Sequence, residues 1–198
     1  MLEEALNCSL ISYFGEPRCS SIMTGCQLML HEDVHKITIA FRGTDKFGEC
    51  ISNLLGDLTN YHGCKVHAGF LLQYRSVCNE LYKVLQRHAN KAILVTGHGI
   101  GGAVAHLCAL DLSIRNNAFV TCVTFGSPKV GDQTFKDKFL KHVYKSVRKA
   151  NTFDVFTWLP LSLVHVTPAD CSIPLVMNPH SIRAYRIDLM ASTKIVFF

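Results

Sequence analysis

Apolar positions along this chain repeat with two alternating periods. Residues 27–30 (QLML) and 36–41 (KITIAF) read as two strands joined by the charged turn HEDVH. A loop with a short apolar piece, ISNLLGDL, follows. Residues 70–88 then carry Phe70, Tyr74, Val77, Leu81 and Leu85, a three-to-four spacing that predicts a helix. AILV at 92–95 is short, continuous and apolar, as a buried parallel strand requires. It runs through GHGIGG into the helix-forming stretch AVAHLCALDL, and FVTCVTF at 119–125 is a second buried strand. Asp132 is placed to N-cap a helix carrying Phe135, Phe139 and Val143. A strand near 146–151 leads to Asp154, and 160–198 reads as loop-rich with weak strand signals. Strands alternating with helices predict an α/β fold, a mostly parallel central sheet with helices on both faces.

Composition narrows the class. At 198 residues the chain is sized for one domain, 1–198, and 48% apolar residues against 18% charged provide a core, which excludes disorder. Part of the net charge of +5 lies in Lys136, Lys138, Lys141, Lys145, Arg148 and Lys149. No aromatic side chains for base stacking interleave that stretch, so it reads as a solvated helix face followed by a strand, and no nucleic acid is expected. An anionic membrane surface remains a possible peripheral partner. The nine cysteines include no C-x-x-C pair, so neither a zinc site nor a redox motif is expected, and no metal or cofactor. The acidic start Met-Leu-Glu-Glu lacks the regions of a signal peptide, and no apolar run reaches spanning length. These features point to a reducing, cytoplasmic setting.

Two motifs offer chemistry and meet objections. HEDVH, His31 to His35, fits the zinc-protease pattern H-E-x-x-H, which needs a helix to put both histidines on one face. Here it lies between two strand-like runs, where a polar hairpin turn explains the same letters. GHGIGG at 97–102 fits the dinucleotide fingerprint G-x-G-x-x-G between a strand and a helix. However, the next strand runs into Gly126-Ser127-Pro128 and supplies no acidic residue for a ribose. The same turn fits a nucleophile elbow, G-x-S-x-G, with Gly97 and Gly101 flanking and glycine, Gly99, at the nucleophile position.

Six segments in chain order decide among these readings: ITIAFRGTD (37–45), VHAGF (66–70), GHGIGGAVA (97–105), VTFGSPKVGD (123–132), NTFDVFTWLP (151–160) and PHSIRAY (179–185). Together they resemble the class 3 lipases of the fungal triacylglycerol lipase type, over roughly residues 25–185. The resemblance implies an α/β-hydrolase fold and hydrolysis of lipid esters. It implies Asp154 as the triad acid, His180 as the general base, and Thr44 with the N–H of Ile100 as the oxyanion hole. Nucleophile position, acid and histidine then follow the hydrolase order, 99, 154, 180. GHGIGGAVA matches the family's GHSLGGALA except at the serine.

Glycine cannot form an acyl-enzyme, and what then remains is positioning and oxyanion stabilisation. No substitute nucleophile stands out. Ser127 lies in the FGSP turn, Cys108 about 14 Å along the next helix at ~1.5 Å per residue, and His98 has no base assigned to it. Two readings follow: a non-catalytic module binding lipid or a protein partner, or a hydrolase disarmed by a recent or artificial change. A further departure is leucine in Asn53-Leu54-Leu55-Gly56-Asp57-Leu58, where the family has tryptophan in N-W-x-x-D-L. Residues 46–56, with Phe47, Ile51, Leu54 and Leu55, are the lid candidate, and a short core helix explains them equally well. His67, His106 and His165 are expected to be structural.

Overall fold

The computed structural model describes residues 1–14, 19–21, 23–43, 56–88, 91–116, 119–167, 169–172, 180–182 and 185. Helix α1 spans Leu2–Ile11, and the strands β1 Cys19–Ser20, β2 Gln27–Glu32 and β3 Lys36–Phe41 follow. Strands β4 Leu58–Tyr61 and β5 Cys64–His67 form a hairpin that leads into helix α2, Ala68–Leu85. Next come β6 Ala92–His98, α3 Ile100–Asn116, β7 Val120–Phe125, α4 Gln133–His142, β8 Lys145–Asn151 and β9 Ala169–Ser172.

Among the described residues, seven strands form one sheet in the order β1-β2-β3-β6-β7-β8-β9. β2 runs antiparallel to both of its neighbours, β1 and β3, and β3, β6, β7, β8 and β9 are parallel. The central strands are buried on both faces, which is why KITIAF and AILV read as unbroken apolar runs rather than alternating ones. Alternate residues divide between two cores. Ile93, Val95, Val120 and Cys122 face α2, α3 and α4, whereas Leu94, Val123 and Phe125 face α1 and Tyr185. The expected α/β architecture with helices on both faces is therefore the one observed.

Helix α3 is buried on every side from Ile100 to Ser113, consistent with a helix that has few polar positions. Helix α2 buries Phe70, Tyr74, Val77, Leu81 and Leu85, the stripe read from the sequence. His67 caps it, accepting from the Phe70 N–H, and burial lowers the imidazole's pKa, which favours the neutral, lone-pair-bearing form. Asp132 caps α4 as expected, accepting from the Phe135 N–H at 2.8 Å.

Two elements go beyond the sequence reading. Helix α1 docks on the sheet through the buried pair Ser9 Oγ–Thr96 Oγ1 at 2.9 Å and the ion pair Lys36–Glu4 at 2.6 Å. The β4–β5 hairpin turns at His62 and Gly63, both with positive φ, as a two-residue type I′ turn needs. His62 Nε2 donates to Asp111 Oδ1, 2.7 Å away, and the buried Asp111 carboxylate also accepts from Tyr74, Tyr82 and Arg115. One carboxylate thus ties the hairpin to α2 and α3.

The HEDVH segment closes β2 and turns into β3, with Asp33 accepting from the His35 and Lys36 N–H groups, so the helix of a zinc motif does not form. Within the basic stretch, Arg148 lies on the strand and is buried: it is 3% exposed, and its guanidinium donates to the carbonyl of Ser127 at 3.2 and 3.3 Å. Its position on β8 beside β7 brings it under the FGSP turn, whose carbonyl needs a donor.

Candidate active site

The sharp turn between β6 and α3 places residue 99 at the C-terminal edge of the parallel strands. Gly99 has φ +55°, and its N–H donates to Phe125 O at 2.9 Å, which pins the turn to β7. A β-carbon on Gly101 would lie 2.5 Å from the carbonyl oxygen of Phe41, and one on Gly97 would strike the backbone of Gly101. The turn is therefore compatible only with glycine at 97 and 101, because β3 and the first turn of α3 pass too close for side chains. Ile100 opens α3 and is buried, and its N–H belongs to the first turn of a helix, where backbone donors have no intrahelical partner.

The sequence separates Asp154 and His180 by 26 residues, and the fold brings them together. His180 Nδ1 lies 2.9 Å from Asp154 Oδ1 and 2.8 Å from Oδ2. A carboxylate accepts, so Nδ1 carries the proton and a neutral imidazole then holds its lone pair on Nε2. Asp154 is 1% exposed and also accepts from the Phe156 N–H at 3.2 Å and Tyr185 Oη at 3.0 Å. Three donors around one buried carboxylate fix its orientation.

Nε2 of His180 points at residue 99. A β-carbon built on Gly99 would lie 3.1 Å from Nε2 and 3.5 Å from Cε1. Among the described residues these are the atoms within 4 Å of that point, apart from the glycine's own chain neighbours. A side chain at 99 would thus project at the free nitrogen of a histidine whose other nitrogen sits on a carboxylate, the relation between nucleophile, base and acid in a serine hydrolase. Thr44, and residues 46–55 of the lid candidate, lie outside the described residues.

Several contributing groups have no mark in the sequence. His98 occupies a variable place in the elbow motif, yet it is 4% exposed. Its Nε2 lies 2.7 Å from the carbonyl oxygen of His180, which only accepts, so Nε2 donates. Nδ1 then accepts from Tyr13 Oη at 2.7 Å. Burial, with His180 nearby, pushes the His98 pKa down to about 3 and keeps it neutral. His180 is packed between His98 and Phe156, at ring separations of 4.9 and 4.6 Å. The only trace of these groups in the sequence is that Phe156 and Tyr185 fall inside the segments that carry Asp154 and His180.

The substitutes weighed for the serine stay out of reach. Ser127 is 0% exposed, with Oγ held by Pro128 O at 3.1 Å and 3.4 Å from His106 Nδ1. Cys108 is fully buried, and burial raises its thiol pKa well above the usual value, away from the nucleophilic thiolate. His106 and His165 are both pushed to about 3 by burial, with Arg148 adding to the effect; His106 packs on Phe139 and His165 on Trp158.

A parallel sheet with helices on both faces, a strand–glycine–helix elbow and an aspartate-backed histidine define the chain as an α/β hydrolase in fold. The sequence model of Lipase (class 3) matches residues 38–163. The chain belongs to the class 3 lipase family. It is 37% identical over 119 residues to a lipase of Rhizopus niveus, covering 54% of this chain and 30% of that protein. It is 31% identical over 149 residues to phospholipase A(1) DAD1, chloroplastic, of Arabidopsis thaliana, covering 63% and 33%. The Rhizomucor miehei lipase propeptide complex superimposes with a TM-score of 0.73 at 28% identity, covering 83% of this chain and 65% of that one. The chain spans about a third to a half of the length of the curated relatives it matches.

Proposed function

We propose that this chain is a lipase-type carboxylic-ester hydrolase disarmed at its nucleophile: it retains the cleft, acid and base of the reaction and binds lipid esters without forming an acyl-enzyme. The observation that carries this reading is the line from residue 99 through His180 to Asp154, with 3.1 Å from the built β-carbon to Nε2 and 2.8 Å from Nδ1 to the carboxylate. In this reading Asp154 orients the imidazole, His180 is the general base, and the Ile100 N–H with Thr44 receives the oxyanion. Glycine at 99 removes the hydroxyl on which acyl transfer depends. The ligand class follows the relatives, whose names specify lipases and a phospholipase A(1).

A lipid surface is the partner this site favours. Phe153, Val155, Trp158 and Leu161 are between 59% and 79% exposed, the first three within the segment that carries Asp154 and Leu161 just after it. Val155–Trp158 is one turn of 3-10 helix, in which residues three apart eclipse, so Val155 and Trp158 share the outer side while Phe156 faces His180. Lys129, whose backbone N–H donates to Leu159 O, adds a basic residue next to this segment.

The test is hydrolysis of a short-chain chromogenic ester by the chain as it stands, by Gly99→Ser, and by Gly99→Ser with His180→Ala. Gly99→Ser is expected to gain at least a hundredfold, a modest part of the roughly 10⁶-fold that the nucleophile is worth in a complete triad, and the double variant to lose the gain. A folded Gly99→Ser protein with no gain would refute the reading.

A further inference from the structure

We propose that glycine at position 99 leaves a slow hydrolytic route open, in which the His180–Asp154 pair activates water directly. This rests on the reading of the site as an ester-binding hydrolase cleft, and adds a reaction to it.

The space that a side chain at 99 would occupy is lined, among the described residues, by Nε2 and Cε1 of His180. A point 3.1 Å from Nε2 is at hydrogen-bonding distance for a water oxygen. Nδ1 donates to Asp154, so Nε2 of the neutral ring is the acceptor facing that point. The same point lies beside the start of the seventeen-residue helix α3, whose first-turn N–H groups and dipole favour developing negative charge. The base and the start of α3 therefore flank the nucleophile position, with water in place of a hydroxyl side chain. A methyl group would remove this option, because its carbon would fill the water's position. Triads in which a nucleophile is deleted retain catalysis from binding and the oxyanion hole alone; glycine differs by the volume it leaves open.

In the proposed step, water bound at Nε2 gives a proton to that nitrogen as its oxygen bonds to the ester carbonyl carbon, and the carbonyl oxygen becomes the oxyanion at the Ile100 N–H. Collapse of this adduct breaks the bond from carbon to the alkoxide oxygen, which takes the proton from Nε2. The products are one carboxylic acid and one alcohol, the ring returns to neutral, and no covalent enzyme intermediate forms.

The experiment measures turnover of a short-chain chromogenic ester after incubation with excess fluorophosphonate, which silences serine nucleophiles, including those of any co-purifying esterase. The chain as it stands is expected to show fluorophosphonate-resistant turnover above buffer. His180→Gln and Gly99→Ala are each expected to reduce it at least tenfold, with folding checked by circular dichroism and thermal melting. If Gly99→Ala does not fold, His180→Gln decides. Across esters sharing one acyl group, kcat is expected to change with the leaving group, because no common acyl-enzyme limits the rate. A resistant rate that survives His180→Gln, or none while Gly99→Ser hydrolyses the same ester, would overturn the water route and leave the hydrolase reading intact. An inert Gly99→Ser would instead remove that reading.

Discussion

Glycine at 99 relieves the backbone and, in the reading proposed above, removes the hydroxyl that acyl transfer needs. A side chain at φ +55° sits in the left-handed region, at a strain of roughly 1–2 kcal/mol, which a hydrolase tolerates at its nucleophile for the sake of orientation. The residues that carry a motif (Gly97, Gly99, Gly101, Asp154, His180) stand out by their letters, and the fold brings Asp154 and His180 up to residue 99. His98 could not, since it joins Tyr13 to the carbonyl of His180 across 85 and 82 residues, and no local pattern reports such long-range contacts. His98 also has a pH signature. It is neutral when folded, with its pKa lowered from 6.5 to about 3 chiefly by burial, and the groups against it are Tyr13, His180 and Tyr185. A depressed pKa contributes stability that is fully present above about 6.5 and is lost as the pH falls toward 3, because the unfolded chain takes up a proton that the folded chain does not. One such group changes the unfolding free energy by about 1.4 kcal/mol per pH unit inside that window. Denaturant unfolding at pH 7, 6, 5 and 4 is expected to show a shallower fall for His98→Gln than for the unsubstituted chain. Parallel curves would mean that His98 does not titrate in the folded protein as described.

At the scale of elements, the periodicity that reveals a helix or strand also marks which face it buries, which is why β3, β6, β7, α2 and α4 were legible. Helix α1 was not, because Leu2–Ile11 precedes the first strong pattern and buries only Ala5, Leu6 and Ser9. The β4–β5 hairpin was hidden because His62, rather than asparagine or aspartate, takes the left-handed turn position, and its conformation is supported from outside by Asp111. The segment around Asp154 does two jobs that sequence alone did not separate: its inner residues hold the acid, and its outer ones expose Trp158 and Leu161. Burying a large apolar side chain contributes about 1.5–3 kcal/mol. Trp158→Ser with Leu161→Ser is therefore expected to weaken binding to anionic phospholipid vesicles by at least tenfold, with ester turnover in the Gly99→Ser background retained on soluble substrate. Unchanged vesicle affinity would rule out this rim as the lipid-facing surface.

Across the whole molecule, the sheet order explains how residues far apart in sequence meet. β6 and β7 are adjacent and parallel, so the turns at Gly99 and Gly126 open at the same edge, and β8 delivers Asp154 beside them. The order 99, 154, 180 made this juxtaposition readable as a resemblance, and the fold supplies its physical basis. For Arg148 the letters indicate a strand position but no partner, which the FGSP turn supplies through the Ser127 carbonyl. The central claim of the proposed function is that the acid and base of an acyl-transfer site face residue 99 and lack only the nucleophile's hydroxyl. Intact-mass measurement after fluorophosphonate treatment tests it most directly, on the chain as it stands, on Gly99→Ser, and on Gly99→Ser with His180→Ala. The account predicts no adduct on the first, one adduct at position 99 on the second, and a strongly slowed reaction on the third. An adduct on the unsubstituted chain, or none on a folded Gly99→Ser protein, would contradict it.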